Sequence, residues 1–304
     1  MSDTLDLVNS TEQKNMATGK IIDAWMQHPT KRHINHPMFD SLKRWTKQNP
    51  VSVEPPLEAT IAAMDEAGVA KGLICSWQNA KEVLISNEEV ASFIDKYPDR
   101  FVGIASVPLN KPIKAIQELR IWVKDFGFKG LRIIQWLWNL PPTHAYYYPL
   151  FVECIHLDIP VCFQVGHTGP LMPSEVGRPI PYIDQVALDF PDLKIVCGHI
   201  GYPWTTEMIA VATKHSNVYI DTSAYAANRY PVELVEYMKH HGQNKVLFGS
   251  NFPMITPAKC LASLPKLGLS EAIRDKFLYQ NAERVFQLEV RSQGSGVRDQ
   301  KSRR

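Results

Sequence analysis

Between residues 20 and 250 the chain repeats one unit eight times: a short apolar run, a polar or aromatic break, then an amphipathic segment at helical spacing. The runs fall at 20–25, 72–75, 101–105, 129–134, 160–165, 193–197, 217–221 and 245–249. Strands that read apolar throughout are buried on both faces. Parallel pairing under covering helices permits that, whereas a half-solvated antiparallel sheet would alternate polar and apolar positions. Eight βα units in a chain of 304 residues predict a single (β/α)8 TIM barrel, an α/β fold. A doubly wound open sheet would need a glycine-rich phosphate turn after the first strand. Trp25-Met26-Gln27-His28-Pro29 stands there instead.

The barrel is assigned to residues 20–288. Residues 1–19 are polar and aperiodic and are expected to form a flexible N-terminal arm. Residues 289–304 read as a disordered basic tail, since within 291–304 five Lys and Arg face Asp299 alone. The net charge of +2 gives no field that would recruit nucleic acid. No apolar run reaches the ~18 residues of a membrane span. The five cysteines show no CxxC spacing, and Cys75, Cys162 and Cys197 lie inside strand-like runs, so they read as small reduced hydrophobes. The first residues lack the basic start and apolar core of a signal peptide, and a cytoplasmic location is expected. Apolar helices around such barrels can pair, so a homodimer is a further expectation.

In such barrels the chemistry gathers at the C-terminal ends of the strands. His199, set between Gly198 and Ile200-Gly201 after the sixth run, is the candidate general acid or base. Gln27, Gln164 and Asn251 are uncharged donors and acceptors suited to holding a carbonyl or carboxylate. They could equally cap their own loops. Arg132, together with the cationic 31–47 loop, Arg178 and Arg229, could collect an anionic substrate or form ordinary ion pairs. Trp25, Trp77, Trp136, Trp138, Tyr146 and Tyr148 could line a planar pocket or simply pack. Asp221, ending the seventh run before Thr222-Ser223, could hold His199 in one tautomer or bond backbone. No GxSxG elbow, P-loop or HExxH is present.

An ordered series of segments resembles the amidohydrolase superfamily, in the branch of aminocarboxymuconate-semialdehyde decarboxylase and related aromatic-acid decarboxylases. The segments are Ile21-Ile22-Asp23, Phe128-Lys129-Gly130-Leu131-Arg132, Ile159-Pro160-Val161, Gly198-His199-Ile200-Gly201 and Leu247-Phe248-Gly249-Ser250-Asn251-Phe252-Pro253. The resemblance implies a divalent metal, usually zinc, held by an HxH pair, a fifth-strand His and an eighth-strand Asp. Here those positions are Trp25-Met26-Gln27, Gln164 and Asn251, and only the sixth-strand His199 is retained. Carboxamides bind such ions poorly, so no cofactor is expected. The minority alternative is a displaced zinc site of His28, His167 and His199.

The leading expectation is therefore a hydrolase of amidohydrolase descent acting on a small, carboxylated cyclic or aromatic compound. His199 and Asp221 are its catalytic candidates, and Trp25, Gln27, Arg132, Gln164 and Asn251 its substrate-binding candidates. The alternatives are a decarboxylase of the same family and a non-catalytic descendant that binds a small molecule or a protein.

Overall fold

The structure is a computed structural model that describes residues 20–47 and 49–288. The expected arm and tail lie outside the described residues. Among the described residues ten strands occur in chain order: β1 (Ile21–Met26), β2 (Val69–Cys75), β3 (Trp77–Gln78), β4 (Val83–Ile85), β5 (Phe101–Ile104), β6 (Leu131–Ile133), β7 (Val161–Gln164), β8 (Ile195–Gly198), β9 (Val218–Asp221) and β10 (Val246–Leu247). Eight of them form a parallel barrel in the order β1-β2-β5-β6-β7-β8-β9-β10. Two ladders, β1-β2-β5 and β6-β7-β8-β9-β10, supply most of the pairing. The Ala105–Leu131 bridge joins β5 to β6, and Ala24 N–H donates to Phe248 O at 2.9 Å to close β10 onto β1. Closure satisfies the backbone groups that an open edge would expose. β3 and β4 form an antiparallel hairpin outside the barrel that the sequence reading did not anticipate.

The strands are short and almost uniformly buried, and this is why the apolar runs were visible: β1 is buried at all six positions and β7 at all four. The helices between them, such as Pro112–Lys124 and Thr205–Lys214, cover the outside with their apolar faces. Ser86 and Glu89 form a reciprocal capping box at the start of helix Asn87–Lys96. Such a cap stabilises by about 1 kcal/mol. Among the described residues, no helix is long and apolar enough to cross a membrane.

The segment after β1, expected as a cationic loop, folds into short helices at Lys31–Ile34, Pro37–Phe39 and Asp40–Thr46. It is tied across the barrel mouth to the loop after β7. Leu171 N–H donates to Met38 O at 2.8 Å, and Ser41 Oγ bonds Gly169 O. A Cβ on Gly169 would meet Leu42 Cδ2 at 2.7 Å, so glycine permits this close approach.

Candidate active site

At the C-terminal ends of the strands lies a cavity of about 290 Å³. Its walls are aromatic and aliphatic: Phe39, Leu42, Trp45, Trp77, Trp136 and Tyr225, with Met254 and Ile255. Its polar groups include Gln27, Gln164, His167, His199 and Asn251. No Asp, Glu, Lys or Arg is among the lining residues described. The volume is at the small end of ligand sites and suits a single ring with substituents.

The ring of His199 is nearly buried, 7% exposed, on the turn after β8. That turn runs through three successive left-handed residues: His199 (φ 70°), Ile200 (φ 52°) and Gly201 (φ 73°). A β-branched residue at positive φ is strained, and such strain persists where surrounding structure imposes it. Ser223 Oγ imposes part of it by accepting the His199 backbone N–H at 3.2 Å and lying 2.8 Å from Nδ1. Burial, reinforced by the nearby Arg132 cation, lowers the His199 pKa to about 3, so the ring is neutral at physiological pH.

Gln164, at the end of β7, is 4% exposed, and its main-chain oxygen accepts from the Gln135 amide. Its own carboxamide has no partner among the described hydrogen bonds and is free to meet a ligand. Asn251 also has a left-handed backbone (φ 67°), a conformation asparagine tolerates well. Its N–H bonds Trp25 O at 2.7 Å, and its Oδ1 accepts from Gln27 Nε2 at 3.4 Å. The Gln27 amide is further committed to Phe252 O. Gln27 therefore braces β1 against the loop after β10 and presents little free polarity to the cavity.

Three predicted residues lie below the cavity. β6 pairs Arg132 with Cys162, two residues short of Gln164, so Arg132 belongs to a deeper layer of the barrel. Its guanidinium carbon stands 3.4 Å over the Trp25 ring, and Trp25 meets His199 edge-on at 5.4 Å. Neither Trp25 nor Arg132 lines the cavity, which corrects their expected role as substrate contacts. A Cβ on Gly198 would lie 2.6 Å from Trp25 Cη2, so glycine at that position admits the indole. Asp221 is also fully buried, and its Oδ1 accepts the Ser223 backbone N–H at 2.8 Å. It reaches His199 only through Ser223. The sequence reading noted Ser223 only as a neighbour of Asp221 and gave it no role.

Burial raises the pKa of Asp221 to about 7 and that of Asp23 to about 6, while hydrogen bonds and the Arg132 charge pull both down. Asp23 is structural, as its Oδ1 accepts from Ser250 N at 2.9 Å and Trp25 N at 3.2 Å. The other expected cations lie elsewhere. Arg178 pairs with Glu207 at 2.8 Å, Lys43 with Asp40 at 3.1 Å, and Arg32 with Glu89. The 31–47 segment turns its apolar residues, not its charges, to the cavity. His33, whose pKa burial lowers to about 3, packs between Phe39 (5.0 Å) and Trp77 (4.7 Å) and supports two of the walls.

The displaced three-histidine site does not form. His28 is bonded through Nδ1 to Thr60 Oγ1 at 2.7 Å and through Nε2 to Pro55 O at 3.2 Å, and it packs on Phe93 away from the cavity. His167 is exposed at the mouth.

A parallel barrel with a histidine and two carboxamides converging at its mouth defines a TIM-barrel protein of enzymatic architecture. The profile of the amidohydrolase family matches residues 77–288, and the chain belongs to that family. It is 25% identical over 250 residues to gamma-resorcylate decarboxylase of Polaromonas sp. (strain JS666), covering 67% of this chain and 75% of that one. A TIM-barrel protein of Bordetella bronchiseptica has a solved structure 26% identical, with a TM-score of 0.76 over 88% of this chain and 98% of that one. Dihydroxybenzoic acid decarboxylase of Polaromonas sp. JS666, solved with manganese and 2-nitroresorcinol, is 19% identical with a TM-score of 0.64, covering 89% and 97%.

The expectation of no cofactor is corrected by these structures: decarboxylases of this fold are crystallised with bound manganese. The strand-end residues of this chain do not make a cradle for such an ion. No three His, Cys, Asp or Glu among the described residues are grouped to hold one. The Gln27 amide donates to Phe252 O, and the Trp25 ring packs against Gly198.

Proposed function

We propose that this protein is a carboxy-lyase that decarboxylates a small aromatic acid at the barrel mouth. The observation that carries the reading is the aromatic, uncharged cavity into which His199 and the free Gln164 amide converge. A carboxylate seated there loses water and meets no counter-charge in direct contact. As neutral CO2 leaves, that charge passes to the ring carbon, and dispersing it into the ring during bond cleavage relieves the cost. The carbon left behind needs a proton, and His199 is the titratable group lining the cavity whose ring is held in place, by Ser223. Gln164 and Asn251 hold the acid's oxygens, and Trp77 and Trp136 flank the ring.

Relatives named as decarboxylases favour this reading over the hydrolase expected from the sequence, for which the comparisons offer no support. The test is a panel of hydroxylated benzoic acids, including 2,6-dihydroxybenzoate and 5-carboxyvanillate, assayed for CO2 with and without added manganese. Release of CO2 by the native chain and not by His199→Gln is expected. Lactone or amide hydrolysis without CO2 from any acid would reject the proposal, and tight binding without turnover would point to a binding protein.

A further inference from the structure

The cavity has two unlike ends. At the inner end, where the strands stop, stand the buried Gln164 and His199, with Asn251 beside them. At the outer end stand Leu42, Trp45, Tyr225, Met254 and Ile255, each half-buried or exposed. Leu42 and Trp45 lie three residues apart on helix Asp40–Thr46 and so share a face. Much of the Trp45 indole is left to water, an unfavourable exposure that an apolar ligand group would relieve.

This outer wall is held in place by the backbone around it. Leu42 lies against Gly169, whose carbonyl accepts from the neighbouring Ser41 hydroxyl. On the loop after β10, Met254 N–H donates to Asn251 O at 2.9 Å, and the Thr256 side chain caps helix Pro257–Leu261. Met254 and Ile255 are thereby fixed between a turn and a helix start. The charges nearby are used elsewhere: Lys43, on the same helix as Trp45, bonds Asp40 and Asn35 O. The Thr46 hydroxyl is spent on Leu42 O. The Tyr225 hydroxyl and the exposed His167 ring are the polar groups left at this end among the described lining residues.

Size points the same way. An apolar cavity of about 150 Å³ is filled by benzene. The 290 Å³ here leaves room for a carboxylate and for a further group on the ring. We propose that the substrate is a singly charged aromatic acid with an uncharged, apolar substituent across the ring from its carboxylate, and that Leu42, Trp45, Met254 and Ile255 form the subsite for that substituent. Placing the carboxylate at the inner end rests on the decarboxylase reading, whereas the apolar subsite does not. With the acid group on Gln164 and Asn251, the opposite edge of the ring points to the mouth, and a short alkyl chain there covers the Trp45 indole. A second carboxylate at that edge would lose hydration against indole and aliphatic carbon with no counter-charge lining the wall.

The test is a homologous series: 2-hydroxybenzoate and its methyl, ethyl and propyl derivatives substituted para to the carboxylate, with 2-hydroxyterephthalate as the doubly charged member. Affinity is read by calorimetric titration of the full chain, and each acid is also assayed for CO2. Kd should fall about twofold to fourfold for each added carbon, and 2-hydroxyterephthalate should bind more weakly than the methyl acid. The gain per carbon should shrink in Trp45→Ser and in Ile255→Thr. It should persist in Ile121→Ser, which replaces an exposed aliphatic side chain on helix Pro112–Lys124 that does not line the cavity. Should one of the two cavity variants not fold, the other decides by the same criterion. A Kd that does not fall along the series, 2-hydroxyterephthalate binding as tightly as the propyl acid, or a gain that survives in both cavity variants overturns the subsite. So does an equal loss of the gain in Ile121→Ser, or no binding by any member at millimolar concentration. If affinity rises along the series but neither it nor the panel releases CO2, the subsite stands and the decarboxylase reading falls. If CO2 is released with the same kcat/KM from every member, the subsite alone falls.

Discussion

Below the level of Gln164 the barrel interior is charged and closed. Above it the mouth is aromatic, neutral and open to ligand. In the lower region Arg132 stacks on Trp25, and Asp23 and Asp221 share its field with no direct ion pair to it. In the upper region the polar groups are amides and imidazoles set among tryptophans. The difference teaches that charge in this barrel is kept one layer below the cavity, and so, on the proposed reading, away from the reacting atoms. It acts on them through the His199 ring and through the potential of a buried cation, without touching the ligand. Placing Arg132 at the substrate would instead hold a carboxylate in its ground state and oppose its loss.

The largest expected effect is on stability, from the lower layer. Arg132→Met removes the cation that offsets two buried carboxyls and leaves the Trp25 face uncovered, and it should cost about 3–5 kcal/mol in denaturant unfolding. Arg132→Lys should recover little, because an ammonium lacks the planar face that stacks on indole. A variant as stable as the native chain would show the layer to be uncoupled. Next, His199→Gln should lower CO2 release by roughly 10²–10⁴-fold with little change in unfolding. Comparable loss of stability would make His199 a structural residue instead.

Gln164→Leu should raise KM by about tenfold and alter kcat less, since it removes a hydrogen bond made to bound substrate. An unchanged KM would remove Gln164 from the site. A further effect is a stability difference with pH. A carboxyl whose folded pKa is raised adds stability that is complete below its unfolded pKa, near 3.8, and lost as pH rises through the folded value, about 7 for Asp221. Asp221→Asn should therefore gain on the native chain between pH 4 and 7, by up to about 1.4 kcal/mol per pH unit. A constant difference across that range would contradict the raised pKa.

The barrel was legible because doubly buried parallel strands must be mostly apolar, as β8 is throughout and β7 is up to Gln164 at its end. His199, Gln164 and Asn251 were legible because strand ends in such barrels face the mouth. Trp25 and Arg132 were misplaced for a related reason. Strand runs in the sequence do not reveal which residue is the last to face inward, and β1 extends to Met26, placing Trp25 inside. The cavity wall from the 31–47 segment was hidden by its lysines and arginines. Phe39, Leu42 and Thr46 nevertheless recur at helical spacing on one face, and Trp45 beside them, 60% exposed, extends the wall to the rim. Ser223 escaped because a small hydroxyl beside an acid carries no signal until the fold places it on His199.

The most direct test of the account is the fate of the proton. An acid of the panel that releases CO2 should be turned over in deuterium oxide and its product examined by NMR. The expected product is an arene carrying one deuterium at the position the carboxylate left, formed by the native chain and not by His199→Gln. Undiminished product from His199→Gln, or a product with oxygen from water at that position, would contradict it.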